Sequence, residues 1–337
     1  LKNTNASIHL VASDANFDTL TYSIVSDPSN GTATLSGSTV TYTPTTDFIG
    51  TDTFTFKAND GDVDSETKTV TIKVIKGYLS TATQIGADID GETAGDQSGT
   101  SISFNEDATI MAVGANYNDV NGTNSGHVRV YQYSSDSWTQ LGGDIDGEAA
   151  NDLSGQSVSL SSDGKTIAIG ANSSDGNGTD SGHVRIYNYN GTEWTQLGGD
   201  IDGELASDFS GWSVSLSSDG KTLAVGAKTN DGNGTNSGHL RIYNYNGTAW
   251  TQLGTDIDGK AVSDQSGYSV SLSSDGKTVA IGAIYNAGNG TNSGHVRIYN
   301  YSDTEWIQLS GDINGEAAGD QSGYSVSLSS DGKTIAI

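Results

Sequence analysis

The sequence predicts an all-β chain: an antiparallel β-sandwich over residues 1–76, then a β-propeller of four-stranded blades over residues 77–337. Three observations predict this. Asp-Ile-Asp-Gly begins at Asp88, Asp144, Asp200 and Asp256 and returns at Asp312 as Asp-Ile-Asn-Gly, a period of 56 residues with no insertion or deletion. Tryptophan (Trp138, Trp194, Trp250, Trp306) and histidine (His127, His183, His239, His295) keep the same beat. Apolar residues alternate over short segments separated by Asn-Gly and Asp-Gly, which supply the positive φ of hairpin turns. A period of this length is one supersecondary unit stacked on copies of itself.

The chain has 337 residues, enough for two sizeable cores. Its apolar content is low but spaced at strand periodicity, which speaks against disorder. Cysteine is absent, so disulfides and thiolate metal sites are excluded. The net charge is −26, of which residues 1–76 contribute −4 and the repeats −22. Such a surface repels phosphate backbones and anionic lipid, so nucleic acid and membrane surfaces are poor partners and cations good ones. Solubility in salty water is the other account of the same acidity. No apolar run approaches the ~18 residues that span a membrane. The chain begins without methionine and stops in mid-repeat, so it reads as a fragment of a longer multidomain chain.

Strands are expected in the sandwich at residues 19–24, 39–43, 52–57 and 69–74, divided by turns such as Asn30-Gly31 and Asp60-Gly61. The stretches Leu20-Thr-Tyr-Ser-Ile24, Asn30-Gly-Thr-Ala-Thr-Leu35, Tyr42-Thr-Pro44, Phe48-Ile-Gly-Thr-Asp-Thr-Phe-Thr-Phe56 and Asn59-Asp-Gly61 resemble the tandem cadherin-like or bacterial Ig-like domains of large surface proteins. The resemblance spans residues 8–74, with the first strand clipped, and implies a spacer in an adhesin. Asp14/Asn16/Asp18 and Asp60/Asp62/Asp64 with Glu66 could offer oxygens to calcium. The alternative is a solvated turn whose side chains bond their own backbone.

In the copy at residues 143–198, strands are expected at 157–160, 166–169, 183–187 and 193–197, with turns at Asp163-Gly164 and Asn190-Gly191. Four short antiparallel strands make a propeller blade. Ser157 and Ser159 suit a crowded innermost strand; Trp194, Tyr187 and Tyr189 suit the wider outer space between blades. Ser154-Gly-Gln-Ser-Val-Ser-Leu160, Thr166-Ile-Ala-Ile-Gly-Ala171 and Gly182-His-Val-Arg-Ile-Tyr187 resemble the FG-GAP repeats of integrin-α-like propellers, a likeness running through residues 86–337. Two departures stand out. The Phe-Gly of that family is Ser-Gly here, and its calcium loop is replaced by the short hairpin Ser161-Ser-Asp-Gly-Lys165. Residues 215–226 also look like a WD-repeat without its Trp-Asp pair. Four full repeats and half of a fifth are present. Thr81-Ala-Thr-Gln-Ile-Gly86 reads as a spare fourth strand for closure, in a propeller of about seven blades.

The loops entering strand one (144–152) and following strand two (172–180) are expected on one face, with tight turns on the other. Carboxylates recur in the acidic runs as Asp88/Asp90/Glu92/Asp96, Asp144/Asp146/Glu148/Asp152 and Asp200/Asp202/Glu204/Asp208, until Lys260 interrupts the fourth. That rhythm matches calcium loops, though glycine sits at position 4 instead of 6. The competing reading is that the last aspartate ties the turn into strand one. Loops such as Asp231-Gly-Asn-Gly-Thr-Asn236 offer a weaker calcium pattern. The histidines, one per blade, are expected to be structural, and Arg185 to pair a carboxylate between blades. Asn-Gly-Thr at Asn121, Asn177, Asn233 and Asn289 reads as a sequon or, more simply, a turn. No catalytic triad, zinc spacing or phosphate loop stands apart from the repeat.

These readings converge on a secreted or surface-displayed adhesion module, non-enzymatic and calcium-stabilised, whose long-loop face takes a protein or glycan. A stalk or surface-layer spacer, or the non-catalytic propeller of a larger secreted hydrolase or lyase, is the alternative.

Overall fold

Every regular element among the described residues is a strand. The computed structural model describes residues 2–14, 16, 18–75 and 84–337, and the chain divides into two units, residues 1–84 and 85–337. Among the described residues no helix is long and apolar enough to cross a membrane.

The first unit contains β1 (Ala6–His9), β2 (Thr21–Ser26), β3 (Gly31–Ser36), β4 (Thr39–Pro44), β5 (Gly50–Asn59) and β6 (Lys68–Val74). They form two antiparallel sheets, ordered β1-β4-β3 and β2-β5-β6. Period-two alternation turns Val40 and Phe54 into a shared core with Leu10, flanked by Tyr22, Phe56 and Ile72. Buried Asp52 accepts from the Ser29, Asn30 and Thr53 amides and from the Tyr42 hydroxyl at 2.9 Å. β1 and β3 add to the four strands expected from alternation. β1 has only four residues and its apolar content is slight, so pairing with β4 defines it more than its own pattern does.

In the second unit, the first blade holds β7 (Ser101–Phe104), β8 (Ile110–Ala115), β9 (His127–Ser134), β10 (Ser137–Gln140) and β11 (Ile145–Asp146). The next holds β12 (Ser154–Leu160), β13 (Thr166–Ala171), β14 (His183–Tyr189), β15 (Trp194–Gln196) and β16 (Ile201–Asp202). Two further blades repeat this pattern, and a short pair, Ser327–Leu328 with Ile335–Ala336, follows. Each blade runs in the order first, second, third and fourth strand, all antiparallel. The expected four strands are joined by a two-residue fifth: Ile201 and Asp202 pair with Val184 and His183. The acidic run therefore starts as strand rather than as free loop. Of the closing strand expected at residues 81–86, residues 81–83 lie outside the described residues, and 84–86 are not in a strand.

Successive first strands meet around one axis. Leu160, Leu216, Leu272 and Leu328, with Ser162, Ser218, Ser274 and Ser330, line a cavity of about 290 Å³ at their ends. Serine laces these strands together: Ser157 Oγ donates to the Gly211 carbonyl at 2.8 Å, and Ser159 Oγ accepts from the Leu216 amide at 2.9 Å. Both bonds recur from blade to blade. The crowding is extreme at Gly170, where a Cβ would lie 2.1 Å from the Gly211 carbonyl oxygen. Further out, the fully buried second strands Thr166–Ala171 and their copies form the core between blades. At the rim, Tyr189 stacks on Trp194 at 5.2 Å, and the indole closes the outer gap.

Candidate functional site

The two ends of the blades differ. At one end, each tight turn satisfies itself: Ser161 Oγ donates to Asp163 Oδ1 at 2.7 Å, which also accepts from the Lys165 amide at 3.0 Å. Ser-Ser-Asp-Gly-Lys stands unchanged at Ser161, Ser217, Ser273 and Ser329. With its single carboxylate bound into the turn, this hairpin does not fit the oxygen cage a calcium loop needs. The second turn works the same way, since Asn190 Oδ1 accepts from the Thr192 and Glu193 amides. Positive φ falls on Gly191, while Asn190 itself has none.

At the other end, long loop and acidic run are stapled together. Asn177 Nδ2 donates to the Gly203 carbonyl at 2.9 Å, as Asn121 does to Gly147, Asn233 to Gly259 and Asn289 to Gly315. The amide nitrogen of each Asn-Gly-Thr triplet is thus a structural donor.

In the runs at residues 144–152 and 200–208 the structure divides the carboxylates among three tasks. The last aspartate is buried and ties its turn: Asp152 accepts from the Ala149 amide, Asp96 from Thr93 and Asn118, and Asp208 from Leu205 and Asn230. The first aspartate turns back to the histidine of its own blade, and the glutamate reaches forward to the histidine of the next. Glu92, His127 and Asp144 thereby come together, as do Glu148, His183 and Asp200, and Glu204, His239 and Asp256. In each set one donor atom per residue lies within 4.8 Å of the others. The remaining aspartates, Asp146 and Asp202, sit in the short fifth strand opposite His127 and His183. Asp88 and Asp90 hold the matching places in the first run and enter none of these sets.

Arginine binds the clusters across blades. Arg129 pairs with Glu92 and, at 3.3 Å, with Asp144; Arg185 meets Glu148 at 3.2 Å; Arg241 pairs with Glu204 and takes both oxygens of Asp256 at 2.9 Å. In the fourth copy Lys260 replaces the glutamate, and its ammonium holds both oxygens of Asp312 at 2.8 and 2.7 Å. Burial, reinforced by the neighbouring arginines, pushes His183 and His239 below the usual imidazole range and His295 down to about 4. Burial raises Asp146 and Asp152. Every cluster draws on two runs a full period apart, so no single run holds one by itself.

A second feature was not anticipated. At the long-loop end of the first strands, one position reads Gln156, Trp212, Tyr268 and Tyr324 in successive blades. The rings of Trp212 and Tyr268 lie 5.6 Å apart and those of Tyr268 and Tyr324 5.1 Å, forming a row that crosses blades. Lys228 lies over the Trp212 ring, with Phe209 near by, and burial brings its ammonium down to about 8. Exposed apolar side chains also collect in these loops: Val120, Leu205 and Val262 are each more than half exposed. Copies that agree at the hairpin end therefore differ at this one.

The bacterial Ig domain family matches residues 1–73, and the FG-GAP repeat family matches residues 145–187, 202–243 and 255–299. No curated protein matches the sequence. Among solved structures, the β-propeller domain of the Trilobed protease from Pyrococcus furiosus is 9% identical, with a TM-score of 0.39, over 63% of this chain and 57% of that one. An acylaminoacyl peptidase from Pyrococcus horikoshii is 10% identical, with a TM-score of 0.37, over 63% of this chain and 32% of that one. Likeness at this level carries nothing about activity.

Proposed function

Because the chain carries a bacterial Ig domain followed by FG-GAP repeats, we propose a non-enzymatic adhesion or ligand-binding module displayed outside the cell. Its long-loop face takes the ligand, a protein or a glycan. The observation that supports this most is the aromatic row Trp212, Tyr268 and Tyr324 with Lys228, set at positions where the copies diverge. Aromatic faces stack on sugar rings and on apolar side chains, and they give rigid contact area at low entropic cost. Loops held by a rigid scaffold are the usual place for recognition. The repeated histidines and carboxylates are spread over separate blades and engaged by arginine, so they favour cohesion over a catalytic centre.

Calcium enters this reading in a restricted form. A run's carboxylates are divided between clusters, so calcium would have to gather oxygens from two successive runs, and each set that joins two runs also holds a histidine nitrogen. The Ig-like unit serves as spacer. Incubating the full chain with arrayed glycans and with whole cells, with and without chelator, tests the proposal. Saturable binding to one ligand class supports it; no binding at any calcium level points to a purely structural stalk.

A further inference from the structure

We propose that Glu92, His127 and Asp144 form a binding site for one divalent cation of the zinc type, lodged between blades. The inference stands independently of ligand binding by the aromatic row. His127 is 3% exposed, and its Nδ1 is buried without a hydrogen-bond partner. That nitrogen lies 3.9 Å from Glu92 Oε2 and 3.9 Å from Asp144 Oδ2. These separations are too long for hydrogen bonds. They suit donors sharing one ion, since ligands about 2.1 Å from zinc stand roughly 3–4 Å from one another.

The other carboxylate oxygens are occupied, Glu92 Oε1 and Asp144 Oδ1 both facing Arg129. Each carboxylate thus gives one oxygen to the guanidinium and turns the other to the imidazole. One guanidinium offsets only one of the two negative charges. Asp146, opposite His127 in the ladder, also carries a buried Oδ1 without a partner, although it lies outside the set of three. Imidazole nitrogen with two carboxylates is a donor set for zinc and its transition-metal neighbours, whereas calcium takes oxygen alone.

The other copies have the same composition but not the same vacancy at the donor atoms. His183 Nδ1 already bonds Ser174 Oγ at 2.9 Å; His239 Nδ1 is as unpartnered as that of His127, but Arg241 claims both oxygens of Asp256, leaving that carboxylate none to turn to the imidazole. In the fourth copy the ammonium of Lys260 supplies the cation covalently. That copy is a natural template for switching the first site off.

The test titrates zinc chloride into the metal-free full chain by calorimetry, with cobalt chloride as a spectroscopic probe. Glu92→Lys copies the fourth blade, Glu92→Gln keeps the size of the side chain, and Glu193→Lys repeats the charge change on an exposed turn. The parent and Glu193→Lys should bind one zinc ion per chain, with visible cobalt bands. Both Glu92 variants should bind at least tenfold more weakly while melting normally without metal. Absence of saturable zinc binding, parental zinc affinity in Glu92→Gln and Glu92→Lys, or a Glu92-dependent response to calcium but not zinc would overturn the proposal.

Discussion

Trp194 donates its indole N–H to the Leu141 carbonyl of the preceding blade at 2.8 Å, and the same bond joins Trp250 to Leu197 and Trp306 to Leu253. A rim residue thereby fastens each blade to the one before it. The ring also covers Gly142, where a Cβ would lie 2.9 Å from Trp194 Cδ1. Trp194→Ala should cost about 3 kcal/mol through lost packing and the orphaned carbonyl. Trp194→Phe should cost about 1 kcal/mol more than its packing change alone, for the missing donor. Urea unfolding followed by circular dichroism reads both.

The first strands test close approach. Gly170→Ala would press a methyl group against the Gly211 carbonyl and Ser157 Oγ, at 2.1 and 2.5 Å. The obstacle is backbone, so the blades must part, and about 3 kcal/mol of destabilisation is expected. Gly199→Ala, where nothing lies within 4 Å and φ is ordinary, should be neutral. Equal melting temperatures for the two variants would contradict the packing.

Asn177 supplies a loop staple. Asn177→Ala should lose about 1 kcal/mol. Asn177→Asp should lose more, because it replaces the donor to the Gly203 carbonyl with a second acceptor. Thermal melts of the three proteins at neutral pH decide the order. An Asp variant as stable as the parent would remove the staple from the account.

His295 makes the repeats acid-sensitive. It is fully buried with neither ring nitrogen bonded, and burial, aided by Arg297 and Lys260, holds it down to about 4 against the opposing pull of Asp312 and Asp264. The unfolded chain takes up the proton near pH 6.5, the folded one only near 4. The stabilisation is therefore full above 6.5 and is lost as pH falls towards 4, by up to about 3 kcal/mol. Asp146 and Asp152, both raised, contribute the opposite slope at the acid end. His295→Gln should show a shallower fall in melting temperature than the parent between pH 6.5 and 4.

Strand order was legible in the sequence because alternation and turn chemistry are local. Ser157 and Ser159 pointed to an innermost strand by size alone, and Trp194 to the rim by the same argument. The task of each carboxylate was not legible. Asp144 and Asp152 belong to one run, yet one faces His127 and the other ties a turn, and only blade-to-blade register separates them. Lys260 was the visible clue, since a cation replacing a glutamate marks a position whose partner is another carboxylate, Asp312. The row of Trp212, Tyr268 and Tyr324 was equally open to inspection. Its meaning depends on knowing that successive first strands lie side by side.

If the long-loop face takes the ligand, substitutions at the two ends of the blades must act differently. Binding of the full chain to its best arrayed glycan or cell target should be measured for the parent, for Trp212→Ala with Tyr268→Ala, and for Lys165→Ala with Lys221→Ala and Lys277→Ala on the exposed hairpin turns. With folding verified by melting, the aromatic pair should lose at least tenfold in affinity and the hairpin triple should bind unchanged. Loss confined to the hairpin variants, or binding indifferent to both, would contradict binding by the long-loop face.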